Sequence, residues 1–380
     1  MAMMRPDTID QLCDIIRDAR AAGGKLAIRG GGSKAGFGAP TGAPPLDMSA
    51  FTGIVDYDPA ELVLTVRAGT PLAEVEAALA AQGQMLAFEP WDHGPLFGQA
   101  AGRATIGGIV VAGVAGSRRL SAGGARDHLL GFTAVSGKGE RFVAGGRVVK
   151  NVTGFDLAKL MAGSWGRLAA ITELSIKVLP RPRESTTLAA EELCAPAALA
   201  LMLRALGSPA SIAAAAHHPA RTLLRLEGFG PSVEARCDAL IRLAAPAVTL
   251  QRLPEAQAAA CWQALCGAAS LDGPLLWRIH LPASAAAALA DWLAAAGARW
   301  LIDWGGALLW TDWAGDPATL RNQIAAAGGH AALVRAPADL RARVPALHPR
   351  APGVAALETR VRRAFDPDGV FETDRFGTAL

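Results

Sequence analysis

The stretch Arg29-Gly30-Gly31-Gly32-Ser33 directly follows a short apolar segment and is the first of three glycine clusters in the N-terminal half of the chain. The second is Thr105-Ile106-Gly107-Gly108, running on to Gly113 and Gly116, and the third is Gly163-Ser164-Trp165-Gly166. Glycine lets a backbone approach a ligand closely, and consecutive amides in such a loop form a concave anion site. Three such clusters predict a large, phosphate-bearing cofactor that is held mostly by main chain.

Other readings of the first cluster are weaker. The Gly-Lys-Ser/Thr order of a nucleotide-triphosphate loop is missing, and no GxGxxG window stands at a strand–helix junction. A flexible surface turn remains the alternative for a glycine run taken alone. Helix packing is the alternative for Gly107-Gly108.

Composition is that of a globular protein with two or three cores. The 380 residues are 51% hydrophobic and 19% charged, and the net charge of +3 gives no reason to expect a nucleic-acid partner. The N-terminus lacks the apolar core of a signal peptide, and no apolar run is long enough to span a membrane. We therefore expect a cytoplasmic protein, and peripheral attachment to the inner membrane through a partner stays open.

Cysteine spacing argues against an iron–sulfur or zinc site. The five cysteines are an odd number without a CxxC pair. Buried structural thiols in a reducing compartment are the simpler interpretation.

The chain contains two regions that differ in their expected order of helices and strands, and Pro180-Arg181-Pro182 separates them. Before it, a helix is expected from Asp7 to about 21, and strands flank the turn at residues 136–139. After it, residues 277–335 read as β-α-β-β-α-β, with Gly305-Gly306 as a turn between two strands. A β-α-β piece at residues 221–253 precedes this unit. An antiparallel sheet with helices on one face follows from this order.

The order of motifs along the first region resembles the flavin-binding domain of the vanillyl-alcohol-oxidase (PCMH-type) superfamily. The residues that carry the resemblance are RGGGS (29–33), EP (89–90), TIGG (105–108), GGARDHLLG (123–131), GSWG (163–166), ITE (171–173) and FDPDGVF (365–371).

A closer resemblance is to the FAD-binding subunits of bacterial three-subunit glycolate oxidases. It rests on Gly36 and Gly38, VDYDPAELVL (55–64), KNVTGFDL (150–157), KVLPRP (177–182) and LIDWGGA (301–307). The resemblance extends over essentially the whole chain and is weakest between about residues 185 and 275.

The resemblance implies an α+β fold with a PCMH-type FAD-binding domain and a cap domain. Residues 1–182 are the FAD-binding domain, made of α/β subdomains 1–50 and 51–182. Residues 183–340 are the cap, which contains the antiparallel sheet and the ferredoxin-like unit. Residues 341–380 form a C-terminal helix and tail that pack back on the FAD domain.

The resemblance also implies where FAD is held. The first loop and Gly107-Gly108 cradle the pyrophosphate, Gly166 and Ile171 meet the adenine end, and residues 113–116 lie along the ribityl and ring region. The full set of expected contacts is Arg29, Gly30, Gly31, Gly32, Ser33, Pro90, Thr105, Ile106, Gly107, Gly108, Gly113, Gly116, Gly166 and Ile171.

FAD is expected to be non-covalent. Relatives that bond their flavin often carry histidine in or beside the first loop, whereas this chain has Ser33 there. The next residue, Lys34, is expected to be a solvated surface lysine, with an added positive charge for the phosphates as the alternative. The tail differs from the family pattern at Glu372-Thr373-Asp374, which weakens any flavin contact inferred for that turn.

No catalytic residue and no metal site are assigned. Catalytic relatives use a histidine cluster with a Glu-His pair, and this chain has no Glu-His dipeptide. His217-His218 are expected to be solvated at a helix end, and His93 to be a loop histidine with a structural hydrogen bond rather than a proton acceptor. Arg118, Arg119 and Arg126 suit a substrate carboxylate, the reduced flavin or a partner interface equally well.

These absences fit a division of labour among chains. The partners implied are a catalytic flavoprotein subunit and an iron–sulfur subunit, and the reaction is oxidation of glycolate or a related 2-hydroxy acid. The alternatives are a self-sufficient FAD-dependent dehydrogenase of a small hydroxy acid or alcohol, and a flavin-free structural subunit.

Overall fold

The computed structural model describes residues 4–146 and 155–377. Helices are α1 Ile9–Ala21, α2 Leu72–Ala81, α3 Ile106–Ala112, α4 Arg119–Ala122, α5 Ala125–His128, α6 Leu157–Met161, α7 Ala195–Leu206, α8 Gly230–Ala244, α9 Glu255–Cys266, α10 Ala286–Ala295, α11 Pro317–Ala326, α12 Ala338–Arg343 and α13 Pro352–Phe365. Strands are β1 Ala27–Arg29, β2 Pro45–Asp47, β3 Ile54–Asp58, β4 Val63–Arg67, β5 Gln84–Met85, β6 Leu129–Ser136, β7 Arg141–Gly145, β8 Ala169–Lys177, β9 Leu179–Pro180, β10 Glu184–Glu191, β11 Ala214–His218, β12 Arg221–Gly228, β13 Gln251–Arg252, β14 Leu276–His280, β15 Trp300–Asp303, β16 Leu308–Thr311 and β17 His330–Arg335.

The chain divides into two compact units. Unit 1 contains Met1–Ala115, Gly123–Arg181 and Pro349–Leu380, and unit 2 contains Gly116–Ala122 and Pro182–His348. None of the described helices has the length and apolarity needed to cross a bilayer.

Unit 1 is built around a five-stranded antiparallel sheet in the order β3-β4-β8-β6-β7. The predicted hairpin is confirmed, since Val135 pairs with Arg141 across the turn. Helix α2 follows Thr70-Pro71 and buries Leu72, Val75 and Leu79. The sheet and this helix share one apolar core with α3.

A smaller layer of unit 1 presents the first glycine cluster. Helix α1 buries Leu12, Cys13 and Ile16, as its apolar spacing predicts. Its N-cap is Thr8, whose hydroxyl accepts the amide of Gln11 at 3.2 Å. The chain then enters β1, which pairs in parallel with β2.

The C-terminal segment of unit 1 forms the turn that Asp366-Pro-Asp-Gly369 predicts. The Asp366 carboxylate accepts the amides of Val370 and Phe371 at 2.9 and 2.8 Å. Next to it, Glu372 forms ion pairs with Arg362 at 2.6 Å and Arg167 at 3.2 Å. Glu372 is therefore engaged in structural pairing within unit 1.

Unit 2 contains two consecutive β-α-β-β-α-β units in one eight-stranded sheet. Its order is β13-β10-β12-β11-β15-β16-β14-β17. The ferredoxin-like unit predicted for residues 277–335 is confirmed by the order β15-β16-β14-β17. The piece predicted at residues 221–253 is the second half of an equivalent unit that begins with β10, α7 and β11.

The two faces of this sheet differ in chemistry. One face belongs to a large apolar core, to which β14 contributes Trp277 and Ile279. Because side chains alternate along a strand, Arg278 and His280 lie on the opposite face. The expectation for His217 was wrong: it lies on β11 and is fully buried, with its Nδ1 2.9 Å from the Thr222 hydroxyl.

Two adjacent residues of α7 test the packing of the unit 2 core. Met202 is fully buried, whereas Leu203 is 41% exposed. We expect Met202→Ala to lower the free energy of unfolding by about 2–5 kcal/mol, because it removes contacts and leaves a cavity. Leu203→Ala is the matched control, with a change of about 0.5 kcal/mol or less. Urea denaturation monitored by circular dichroism measures both, and equal effects would contradict the assigned helix face.

Candidate functional site

The first glycine cluster forms a turn with a row of unpartnered amides. It begins where β1 ends, at a point fixed by the bond from the Met48 amide to the Arg29 carbonyl, and Gly32 has a φ of +76°. Among the described residues, no atom accepts a hydrogen bond from the backbone amides of residues 30–34. Consecutive free amides of this kind bind anions.

The second cluster fixes the position of this turn. A Cβ added to Gly31 would lie 1.7 Å from the Arg103 carbonyl oxygen, and one added to Gly30 would lie 2.4 Å from the Thr105 hydroxyl oxygen. The Arg103 Nε donates back to the Gly31 carbonyl at 3.0 Å. Only glycine allows this close approach, so the RGGGS sequence serves the packing of two loops as well as its amides.

Helix α3 begins at the second cluster and uses its own first-turn amides. Thr105 is the N-cap, and its hydroxyl accepts the Gly108 amide at 3.3 Å. The Ile106 and Gly107 amides donate to the carbonyls of Thr70 and Ala68. This segment therefore contributes a backbone that can approach a ligand closely. The free amide donors are those of the first glycine cluster, at residues 30–34.

The third cluster packs against the far end of α3. Gly113 ends the helix with a φ of +65°, and a Cβ on it would contact the Gly163 Cα at 3.4 Å. The Trp165 amide donates to the Val111 carbonyl at 2.7 Å. Within this cluster the Ser164 hydroxyl oxygen is buried and has no hydrogen-bond partner among the described residues. An orphaned hydroxyl at this place is a further polar contact available to a ligand.

Lys34 is buried, in contrast to the expectation of a solvated lysine. It is only 8% exposed, directly after the row of free amides, and it forms no ion pair with any described residue. Burial, reinforced by Arg375 and opposed by Asp92, lowers the pKa of Lys34 to about 8. At neutral pH the ammonium group is still charged, so this part of unit 1 holds a buried positive charge that forms no ion pair with a described residue.

Asp92 is the acid whose charge acts on Lys34, and backbone amides already occupy both of its oxygens. Oδ1 accepts the Gly94 amide at 2.9 Å, and Oδ2 accepts the amides of Gly102 and Arg103 at 2.7 and 3.1 Å. Sequence reasoning missed this residue, although the Asp-His-Gly order is typical of such an Asx turn.

The other predicted contacts are placed as follows. Pro90 is buried two residues before Asp92, and Ile171 is buried on β8 in the unit 1 core. Gly166, with a φ of +74°, lies beside Ile28 at the start of the first turn. Gly116 belongs to unit 2, where its carbonyl accepts the Trp304 indole N–H at 3.0 Å. Unit 1 therefore brings together all of the predicted clusters except Gly116.

The remaining candidates have structural contacts. His93 Nδ1 donates to the Trp91 carbonyl at 3.2 Å, and the two rings stack at 3.6 Å. Arg118 is paired with Glu227 at 2.6 Å within unit 2. Over residues 4–146 and 155–377, no group of three or more His, Cys, Asp or Glu residues is arranged to hold a metal ion.

Comparison with known proteins agrees with the geometry. Residues 1–145 match a family model described as FAD binding domain. Glycolate oxidase subunit GlcE of Escherichia coli (strain K12) is 37% identical over 355 residues, which cover 93% of each chain. The chain belongs to the GlcE family of glycolate oxidase subunits. The predicted family resemblance is thereby confirmed.

More distant relatives of this GlcE family member match about half of the chain. Glycolate oxidase subunit GlcD of Bacillus subtilis (strain 168) is 29% identical over 191 residues, 50% of this chain and 39% of that protein. D-lactate dehydrogenase of Archaeoglobus fulgidus is 29% identical over 188 residues, 49% of this chain and 40% of that protein.

The fold has solved counterparts. A structure of alkyldihydroxyacetonephosphate synthase superposes with a TM-score of 0.68 and 14% sequence identity, over 98% of this chain and 76% of that chain. At this identity the likeness shows the fold alone. The predicted α+β, PCMH-type fold class is confirmed.

The burial of Lys34 predicts a specific pH dependence of stability. Its pKa is about 8 in the folded protein and near 10.5 when exposed, so the unfolded chain binds more protons between these values. The contribution of Lys34 to the stability of the ligand-free protein therefore rises as pH increases from about 8 to about 10.5. Lys34→Met should raise the free energy of unfolding at pH 7 by roughly 2–3 kcal/mol, and the gain should vanish above about pH 10.5.

Lys25→Met is the control for this measurement, because Lys25 is exposed and pairs with Asp374 at 2.8 Å. It should change stability by about 0.5 kcal/mol or less. Urea denaturation across this pH range tests both variants. A pH-independent effect of Lys34→Met would show that its ammonium group is not desolvated.

Proposed function

We propose that this GlcE family member binds FAD non-covalently as a subunit of a glycolate oxidase complex. The observation that carries the proposal is the row of free amides at residues 30–34, with the buried positive charge of Lys34 beside it. A diphosphate needs several directed donors and a compensating cation in a partly dry site. The turn supplies both, and the full-length similarity to GlcE supports the assignment.

The proposed contacts follow the three clusters. Residues 29–33 and the backbone at residues 105–108 hold the pyrophosphate, and Pro90 and Gly113 lie along the cofactor. Gly166 and Ile171 meet the adenine end. The first loop has Ser33 where relatives with covalently bound flavin often carry a histidine. Because serine offers no ring nitrogen for such a bond, FAD is released intact on unfolding. FAD, when bound, supplies the redox chemistry of glycolate oxidation.

The proposal includes partner chains. They are a catalytic flavoprotein subunit and an iron–sulfur subunit of the same complex, in the cytoplasm or peripherally on the inner membrane. Glycolate is the substrate class, because the relatives of this chain are a glycolate oxidase subunit and hydroxy-acid dehydrogenases.

Two glycines with different surroundings in space test the placement of the diphosphate. Gly31→Ala forces Cβ against the Arg103 carbonyl oxygen, whereas Gly42→Ala places it in open space. We expect Gly31→Ala to weaken FAD binding by at least about 10-fold, because the amides are displaced. Gly42→Ala should leave FAD binding unchanged. Quenching of flavin fluorescence measures the dissociation constants, and equal values for the two variants would contradict the proposed placement.

The same protein tests the manner of binding and the role in the complex. Acid precipitation of the loaded chain should leave all flavin in the supernatant, which a covalent link would prevent. Glycolate added anaerobically to the purified chain should bleach its flavin only after the partner subunits are supplied. Bleaching in their absence would favour the self-sufficient dehydrogenase instead.

A further inference from the structure

One face of the unit 2 sheet carries an arginine without an acidic partner. Arg278 on β14 is half-buried, and its guanidinium lies 5.1 Å from the Trp304 ring centroid and 5.5 Å from that of Trp310. Within the described residues, no carboxylate lies within ion-pair distance of it. Burial and the nearby Arg119 lower its pKa to about 10, against the effect of Asp303. Arg278 is therefore cationic at neutral pH.

The neighbouring histidine does not compensate this charge, and it holds the guanidinium in place. Arg278 Nη1 donates to His280 Nε2 at 2.9 Å, which requires Nε2 to be unprotonated. Burial, followed by the effects of Arg278, His330 and Arg119, holds the pKa of His280 far below its usual range. His280 is thus a neutral acceptor that orients the guanidinium.

A second arginine is fixed on the same side by the segment that contains Gly116. The Trp304 indole donates to the Gly116 carbonyl at 3.0 Å, and Arg119 lies 4.8 Å from the same ring centroid. The indole is thus flanked by two guanidinium groups, and like charges this close repel each other.

The acid of this region is already engaged. Asp303 accepts the Ser117 hydroxyl and the Trp304 amide, both at 2.7 Å. The guanidinium groups of Arg278 and Arg119 therefore share one nearby carboxylate, that of Asp303, which already accepts hydrogen bonds from other donors. An anion that reached Arg278 would relieve this imbalance.

We propose that Arg278, oriented by His280 and walled by Trp304 and Trp310, binds a small carboxylate. The planar guanidinium fork matches a carboxylate with two parallel hydrogen bonds, and the bond to His280 holds its orientation. All residues of the site belong to unit 2, so the inference does not depend on flavin binding. It gives this chain its own contact with an acid of the glycolate class.

Calorimetric titration of the full-length chain with sodium glycolate, at constant ionic strength, tests the site. Arg278→Met should weaken glycolate binding by at least about 10-fold, because a charge-assisted bidentate pair is lost. Arg278→Lys keeps the charge without the fork and should give an intermediate affinity. Arg343→Met is the matched control, since Arg343 is exposed and pairs with exposed Asp339 at 3.0 Å. It should bind glycolate like the wild type.

The probes and the flavin content separate the possible outcomes. Ethylene glycol, which lacks a carboxylate, should not bind. Absence of glycolate binding to the wild type, equal affinity for inorganic phosphate, or unchanged affinity in both Arg278 variants would each overturn the proposal. FAD content is measured in the same samples, and Arg278→Met should retain its flavin. Wild type that binds glycolate but takes up no FAD would refute the proposed function and leave this site standing.

Discussion

The close approach of two loops in unit 1 is the constraint on which the site depends. Gly31 sits where any Cβ would overlap the Arg103 carbonyl oxygen, and Gly30 lies against Thr105 in the same way. This contact holds the turn in a conformation in which five consecutive amides have no acceptor among the described residues. Glycine is thus required for steric reasons, and the anion-binding character of the turn is a consequence of that packing.

Each unit also retains a positive charge that its own residues do not neutralise. Lys34 in unit 1 is desolvated beside an aspartate whose oxygens are occupied by amides, and Arg278 in unit 2 is hydrogen-bonded to a neutral histidine. Burying a charge without a partner costs folding free energy. Such a cost is typical of binding sites, where the missing counter-charge comes from the ligand.

Much of this architecture follows from the sequence, because its signals are local. The glycine clusters, the hairpin at residues 136–139 and the β-α-β-β-α-β order at residues 277–335 each depend on turn chemistry and short-range periodicity. Strand β11 was missed because it consists of three alanines and two histidines, which carry no strand preference. Lys34 was misjudged because residues that contact it or act on its charge, such as Arg375 at its carbonyl and Asp92, lie far along the chain.

Position on a strand explains why the unit 2 site also escaped prediction. Residues 277–280 alternate between apolar and polar side chains, and this alternation identifies a strand without saying what its polar face is for. Two contacts give that face its chemistry. Trp304 anchors the segment of Arg119, which is distant in sequence, and His280 accepts from Arg278 on the same strand. A neutral histidine beside a cation is a poor base but a good orienting acceptor. The arrangement therefore favours recognition of an acid over removal of its proton.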